Sequence, residues 1–169
     1  MKSIVVLAMH GAPPNDFPKQ QLGEFFGLHG RLEFARGPEL EAMQRRYDEL
    51  EAQVRNWPRT PANDPFHAAS LDLADQLGIA MGCEVVVGFG EFCAPSLDQA
   101  LDRAVTHGAG DITVVTPMMT RGGEHSEVDI PAAIDRARQR HPAAVFRYVW
   151  PFEAADVAHF LATEINKHT

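Results

Sequence analysis

Two histidines and a glutamate stand out in the 169-residue chain because each follows an apolar, β-branched run. His10 follows Ile4 to Met9, Glu91 follows Glu84 to Phe89, and His125 follows Ile112 to Thr116 across the loop Arg121 to Ser126. Two imidazoles and a carboxylate form a borderline donor set suited to cobalt, iron, nickel or zinc. Three protein donors also leave coordination positions open for exchange. The three residues are too far apart in sequence for a local metal motif, so they act together only if the fold gathers them. Each also has a plainer reading. His10 could bond a helix N-terminus, Glu91 could sit on the dipole of the helix that Pro95 opens, and His125 could be a solvated loop residue.

Other reactive types carry weaker signals. Cys93 has no evident partner base and reads as a buried, inert thiol. Cys83 and Cys93 flank one strand, too far apart along an extended chain for easy bridging. The stretches HGAPP and RGGEHS follow strands and could cradle a phosphate at a helix N-terminus, which leaves a flavodoxin-like phosphate or nucleotide binder as a third functional class. Neither stretch matches G-x-G-x-x-G or the P-loop, and Gly88-Phe89-Gly90 lacks the third glycine. His29, His67, His107, His141, His159 and His168 read as surface or capping residues.

Four strands must position the three donors. Ile4–Met9, Glu84–Phe89, Ile112–Thr116 and Val145–Val149 are short continuous apolar runs, as buried parallel strands are. Helices alternate with them. Pro38 to Trp57 carries Leu40, Met43, Tyr47, Leu50 and Val54 at helical spacing, and Pro65 to about Ala80 places Phe66, Ala69, Leu73 and Leu77 on one face. A helix opens at Pro95 and closes near Gly108; another has Pro131 in its first turn. The last, Glu153 to Lys167, has Val157, Phe160, Leu161 and Ile165 as its apolar face. Asn15 to Arg36 mixes Pro, Gly and Phe without a clean period and is left as a structured excursion. The expected fold is α/β: an open, mostly parallel four-stranded sheet with helices on both faces. In such sheets ligands bind outside the carboxyl ends of the strands, where all three donors lie.

The length fits one domain, 1–169, and 45% hydrophobic with 22% charged residues is globular composition. A net charge of −8 argues against non-specific nucleic-acid binding. The apolar start is too short for a signal-peptide core, and no run reaches the roughly 20 residues that span a bilayer. The expected compartment is cytoplasm, without membrane association.

Three segments taken in order carry a resemblance: His10-Gly11 after the first strand, Phe89 to Ser96 (FGEFCAPS), and Gly123 to Pro131 (GEHSEVDIP). Together they resemble the small sirohydrochlorin chelatases, the CbiX-like class II chelatases. The likeness covers about the last half of the chain plus VVLAMHG at its start. It implies a chelatase-like fold and a lyase that inserts a divalent metal (cobalt, iron or nickel) into a tetrapyrrole such as sirohydrochlorin, the chemistry of cobalamin and siroheme biosynthesis. His10 and His125 carry over as metal-binding and proton-accepting residues and Glu91 as a third metal contact. Gly11, Arg121, Gly122 and Gly123 are expected to lie against the bound molecule. Metal and tetrapyrrole are then substrates, with no tightly bound cofactor. The alternative is a non-catalytic metal or tetrapyrrole carrier. The chain departs from compact family members by an insertion at about 15–62, between the first strand and first core helix. Because larger chelatases enclose the macrocycle between two such domains, a symmetric homodimer with facing clefts is expected.

Overall fold

A computed structural model describes residues 2–32 and 34–168. The chain runs β1 (Lys2–Met9), α1 (Lys19–Leu32), α2 (Pro38–Arg55), α3 (Pro65–Met81), β2 (Glu84–Phe89), α4 (Leu97–Thr106), β3 (Ala109–Val115), a π-helical turn (His125–Asp129), α5 (Ile130–Arg140), β4 (Val145–Val149) and α6 (Ala154–Lys167). The strands form one all-parallel sheet in the order β2-β1-β3-β4. From their carboxyl ends β1 connects to β2 on one side and β3 to β4 on the other. The crevice between the ends of β1 and β3 is therefore the topological switch point, where open α/β sheets bind ligands.

One face of the sheet carries Ile4, Val6, Ala8, Ile112, Val114 and Phe146 against α4 and α5, whose Leu101, Ala104, Ile134 and Ala137 are essentially inaccessible. The α4 helix begins later than the Pro95 reading. Ser96 is its N-cap, accepting from Gln99 N while Gln99 Oε1 accepts from Ser96 N, a reciprocal box that sets the first turn.

The opposite face is covered by α3, through a side of the helix other than the expected one. Ser70 and Ala74 are buried, whereas Phe66 and Leu73 are exposed; of the anticipated four only Leu77 packs partly inward. The physical reason is close approach. A Cβ on Gly78 would stand 3.2 Å from Cys83 O and 3.5 Å from Val85 Cγ2, so the small residues at 70, 74 and 78 let the helix sit on β2 where bulkier ones would hold it off. The expected apolar face of α6 is also not buried. No residue of α6 is buried, and Phe160, Leu161 and Ile165 are 48%, 50% and 62% exposed. The helix borders a groove with Met119–Arg121 rather than the sheet, and Val145 and Val149 of the edge strand remain exposed.

The excursion that sequence periodicity left unassigned contains α1, which pairs with α2 as a helical hairpin. Phe25, Leu28 and Leu50 form its core, with Met43, Tyr47 and Phe92 packed against it. Its two ends are clasped together. Asn15 N donates to Asn63 O (2.7 Å), Trp57 Nε1 to Asp16 Oδ1 (2.9 Å), and Asn63 Nδ2 to the Asp16 carboxylate (3.1 Å). Because Phe92 follows β2, the hairpin core is joined to the carboxyl edge of the sheet.

Candidate metal and ligand site

His10, Glu91 and His125 converge. One ligand atom from each lies within 4.8 Å of the others, the imidazole centroids are 4.2 Å apart at 83°, and His10 Nε2 is 3.7 Å from Glu91 Oε2. The parallel register explains the first pair. Gly90 N donates to Met9 O and Glu91 N to His10 O (both 2.8 Å), so the β1–β2 pairing continues beyond the strands and sets Glu91 beside His10. Gly11 permits that approach. Its φ is +103°, and a Cβ there would fall 1.9 Å from Glu91 O. The expected ligand-facing glycine thus acts by bringing two loops together.

Each imidazole has its Nδ1 engaged. His10 Nδ1 lies 2.8 Å from Gly11 O, which can only accept, and His125 Nδ1 lies 2.7 Å from Asp129 Oδ2. Both contacts place the neutral ring's proton on Nδ1 and leave the Nε2 lone pair free, the arrangement that orients histidine toward a metal. The i,i+4 contact of His125 with Asp129 occurs within the π-helical turn, where Ile130 N reaches back to His125 O. Such turns recur at functional sites. The turn is braced by Tyr148 OH donating to Ser126 O (2.9 Å) and by Gly122 N donating to Glu127 Oε1 (2.9 Å). Burial, with the nearby Glu127 charge, pushes the Tyr148 phenol up to about 12, so the hydroxyl remains a donor at any physiological pH.

Glu91 and His125 open onto a cleft of about 390 Å³ lined also by Phe25, Phe26, His29, Tyr47, Arg55, Phe92 and Arg136. His10, His125 and Asp129 also line an adjoining cavity of about 190 Å³. One wall is aromatic. Phe25 and Tyr47 stack at 4.8 Å and 16°, while Phe25 and Phe26 meet Phe92 edge-on at 6.1 and 5.9 Å. His29, read from sequence as a surface residue, belongs to this wall, 3.3 Å from Tyr47 OH. Arg121 does not line the cleft. Its side chain is 74% exposed, 3.7 Å from Glu127, and it borders the α6 groove instead. The cations of the cleft are Arg55 and Arg136, which sequence reasoning missed because helical periodicity assigns them only to polar faces. Gly122, with φ +87°, and Gly123 shape the loop before His125.

Beneath the donors, Cys93 is fully buried, its Sγ 3.5 Å from Ala12 O and 3.6 Å from Asp64 Oδ2. Burial pushes the thiol upward, away from the nucleophilic thiolate, consistent with the inert reading. Cys83 and Cys93 are both free thiols.

No helix among the described residues is long and apolar enough to cross a membrane. The structure is similar to that of the putative cobalamin (vitamin B12) biosynthesis CbiX protein from Marinobacter aquaeolei VT8, at a TM-score of 0.56 and 17% identity over 98% of this chain and 95% of that one. It is less similar to the sirohydrochlorin chelatase SirB from Bacillus subtilis subspecies spizizenii in complex with cobalt, with a TM-score of 0.45, 20% identity, and 89% and 44% of the two chains covered. In sequence it is 41% identical over 63 residues to the sirohydrochlorin cobaltochelatase of Priestia megaterium, a match spanning 37% of this chain and 20% of that relative. The matches thus span 44% and 20% of these longer chelatases. The CbiX family model matches residues 63–165, which hold Glu91, His125 and Asp129 and most of the sheet. That match takes in more than half of the sequence, and the chain belongs to the CbiX family.

Proposed function

We propose that the protein is a chelatase that inserts a divalent metal, cobalt or iron foremost and nickel within the same donor preference, into a tetrapyrrole such as sirohydrochlorin. The observation that carries this reading is the convergence of two Nδ1-anchored imidazoles and one carboxylate within 4.8 Å, between a cleft with an aromatic wall that Glu91 and His125 line and an adjoining cavity that His10 and His125 line. His10, Glu91 and His125 supply three donors to the metal and leave positions for the entering pyrrole nitrogens. A macrocycle lying on Phe25, Tyr47 and Phe92 presents its apolar faces to rings and its nitrogens to the metal, which converts an encounter of two substrates into an oriented one.

The proton balance fits two histidines. Metalation of the macrocycle by a divalent ion releases two N–H protons, and transfer of the metal out of the site frees two Nε2 lone pairs. His10 Nε2 and His125 Nε2 each take one proton, and the Asp129 carboxylate 2.7 Å from His125 Nδ1 stabilises the resulting imidazolium. Both protons then pass to solvent, since the His10 and His125 side chains are 40% and 32% exposed. The name of the Priestia relative, sirohydrochlorin cobaltochelatase, supports the choice of macrocycle and metal.

A second copy completes the proposal. Each chain offers one cleft and exposes Phe160, Leu161 and Ile165 on α6, apolar surface that self-association would cover. Light scattering that finds a fully active monomer at tens of micromolar overturns the homodimer. The activity is tested by following tetrapyrrole absorbance with cobalt, iron and nickel in turn. Repeated turnover supports a chelatase, stable stoichiometric binding without release indicates a carrier, and no change with any of several tetrapyrroles overturns both.

A further inference from the structure

The insertion does more than wall the cleft: it holds the turn that carries Glu91. Residues 90–93 form a tight reversal in which Cys93 N bonds Glu91 O at 2.6 Å and Phe92 adopts φ +56°. A non-glycine residue in this region costs on the order of 1–3 kcal/mol and persists only where its surroundings over-determine it. Here they do. Arg55, the last residue of α2, donates from Nη1 to Cys93 O (3.1 Å) and from Nη2 to Gly90 O (3.0 Å), while its own carbonyl accepts from Ala94 N (3.1 Å). Arg59 donates from Nη2 to Phe92 O and to Val54 O. All four carbonyls from Gly90 to Cys93 therefore have a named donor, three of them through guanidinium groups of the insertion.

The arginines are themselves fixed. Arg55 Nε donates to Glu51 Oε1 at 3.0 Å. Arg59 has a side chain only 8% exposed, and its Nη1 stands 3.4 Å from the fully buried Asp64, close enough for charge attraction but without hydrogen-bond geometry. Asp64 in turn caps α3 through His67 N (2.9 Å) and receives Cys93 Sγ at 3.6 Å. A planar fork suits this task. It spans two carbonyls at once, as a lysine ammonium on a flexible stem does not.

We propose that Arg55 and Arg59 are positioning residues that set the Glu91 carboxylate against His10 and His125, so that the 15–62 insertion tunes metal capture from beneath the site. This rests on the three residues being metal donors, and the test separates the two claims. Cobalt affinity is measured by calorimetry for the wild type, Arg55→Lys, Glu91→Gln and the double variant, with thermal melting of each metal-free protein. The expected result is a loss of about tenfold or more in Arg55→Lys, as for other groups that orient metal donors. In the Glu91→Gln background the same change should cost less than twofold, because the group it positions no longer serves. Arg59→Lys should follow the pattern and, being buried against Asp64, should lower the melting point as well, so Arg55→Lys carries the test. An equal loss in both backgrounds, or no loss in the first, overturns the positioning role while leaving the donors assigned. A wild-type protein that takes up no cobalt overturns the donor assignment and this inference together.

Discussion

Replacing Asp129 by alanine separates the role of the π-helical turn in holding a donor from its role in holding the fold. The His125–Asp129 contact is 2.7 Å, but the side chains are 32% and 51% exposed and lie at i,i+4. Exposed pairs of that kind contribute about 0.3–0.5 kcal/mol to stability. For a domain of this size that corresponds to about 1–2 °C in melting temperature. Its effect on metal binding should be larger. Without the acceptor on Nδ1 the ring is free to carry its proton on Nε2 and to rotate, and loss of such an orienting partner costs about 10–100-fold in metal affinity. At about 1.4 kcal/mol per decade this is about 1.4–2.8 kcal/mol, several times the stability effect. Cobalt titration by calorimetry at constant pH, beside thermal melting of the metal-free protein, reads both. Asp129→Asn, which keeps an acceptor oxygen, should fall between wild type and Asp129→Ala. Unchanged affinity in Asp129→Ala, or a fall in melting temperature large enough to account for weakened binding, would refute the reasoning.

Gly11→Ala should weaken cobalt binding at least as much as Glu91→Gln and lower the melting point, since the added methyl meets Glu91 O at 1.9 Å; a variant with wild-type affinity would show that the two loops can part without consequence. Tyr47→Ala should weaken tetrapyrrole binding while leaving cobalt affinity within twofold, because Tyr47 lines the cleft without being one of the converging donors; equal macrocycle affinity by fluorescence quenching would remove the aromatic wall from the site. Acid should destabilise the fold through two carboxylates. Hydrogen bonds from Lys2 and then His107 hold Glu84 below its ordinary 4.5; burial pushes Asp98 up, but Arg136 and Arg140 together pull it below 3.8. A lowered folded value means that the unfolded chain binds more protons, so this stability is present above those ordinary values and lost as pH falls through the folded ones. The melting-point gap between wild type and Glu84→Gln/Asp98→Asn should therefore be full above those ordinary values and narrow as pH falls below them, and a gap constant with pH would contradict the pairing.

How much of this was legible in the sequence follows from range. Continuous apolar strands and proline-led helices are local signals, and β2, β4, α2, α3 and α5 lie close to where periodicity puts them. The convergence of the three candidate donors was legible because each ends or follows such a strand, and a parallel sheet sends those ends to one edge. Packing partners were not legible. Periodicity marks an apolar face on α3 but not that Ser70, Ala74 and Gly78 approach β2, and on α6 it marks a face that stays about half exposed among the described residues. Arg55, Arg59 and Arg136 reach the site or its supporting turn only through tertiary contacts, so no window of sequence singles them out. Asp129 was within reach, four residues beyond His125 in the quoted GEHSEVDIP stretch, where helical spacing would have paired them.

Metal insertion itself tests the central claim most directly. Cobalt and sirohydrochlorin, in excess over the protein, should show a time-dependent absorbance change whose initial rate is proportional to protein concentration and whose extent passes many equivalents per chain. His10→Ala and His125→Ala should each reduce that rate to the uncatalysed background while remaining folded by circular dichroism. A spectral change that stops at one equivalent per site, or a rate the two substitutions leave untouched, would contradict the account.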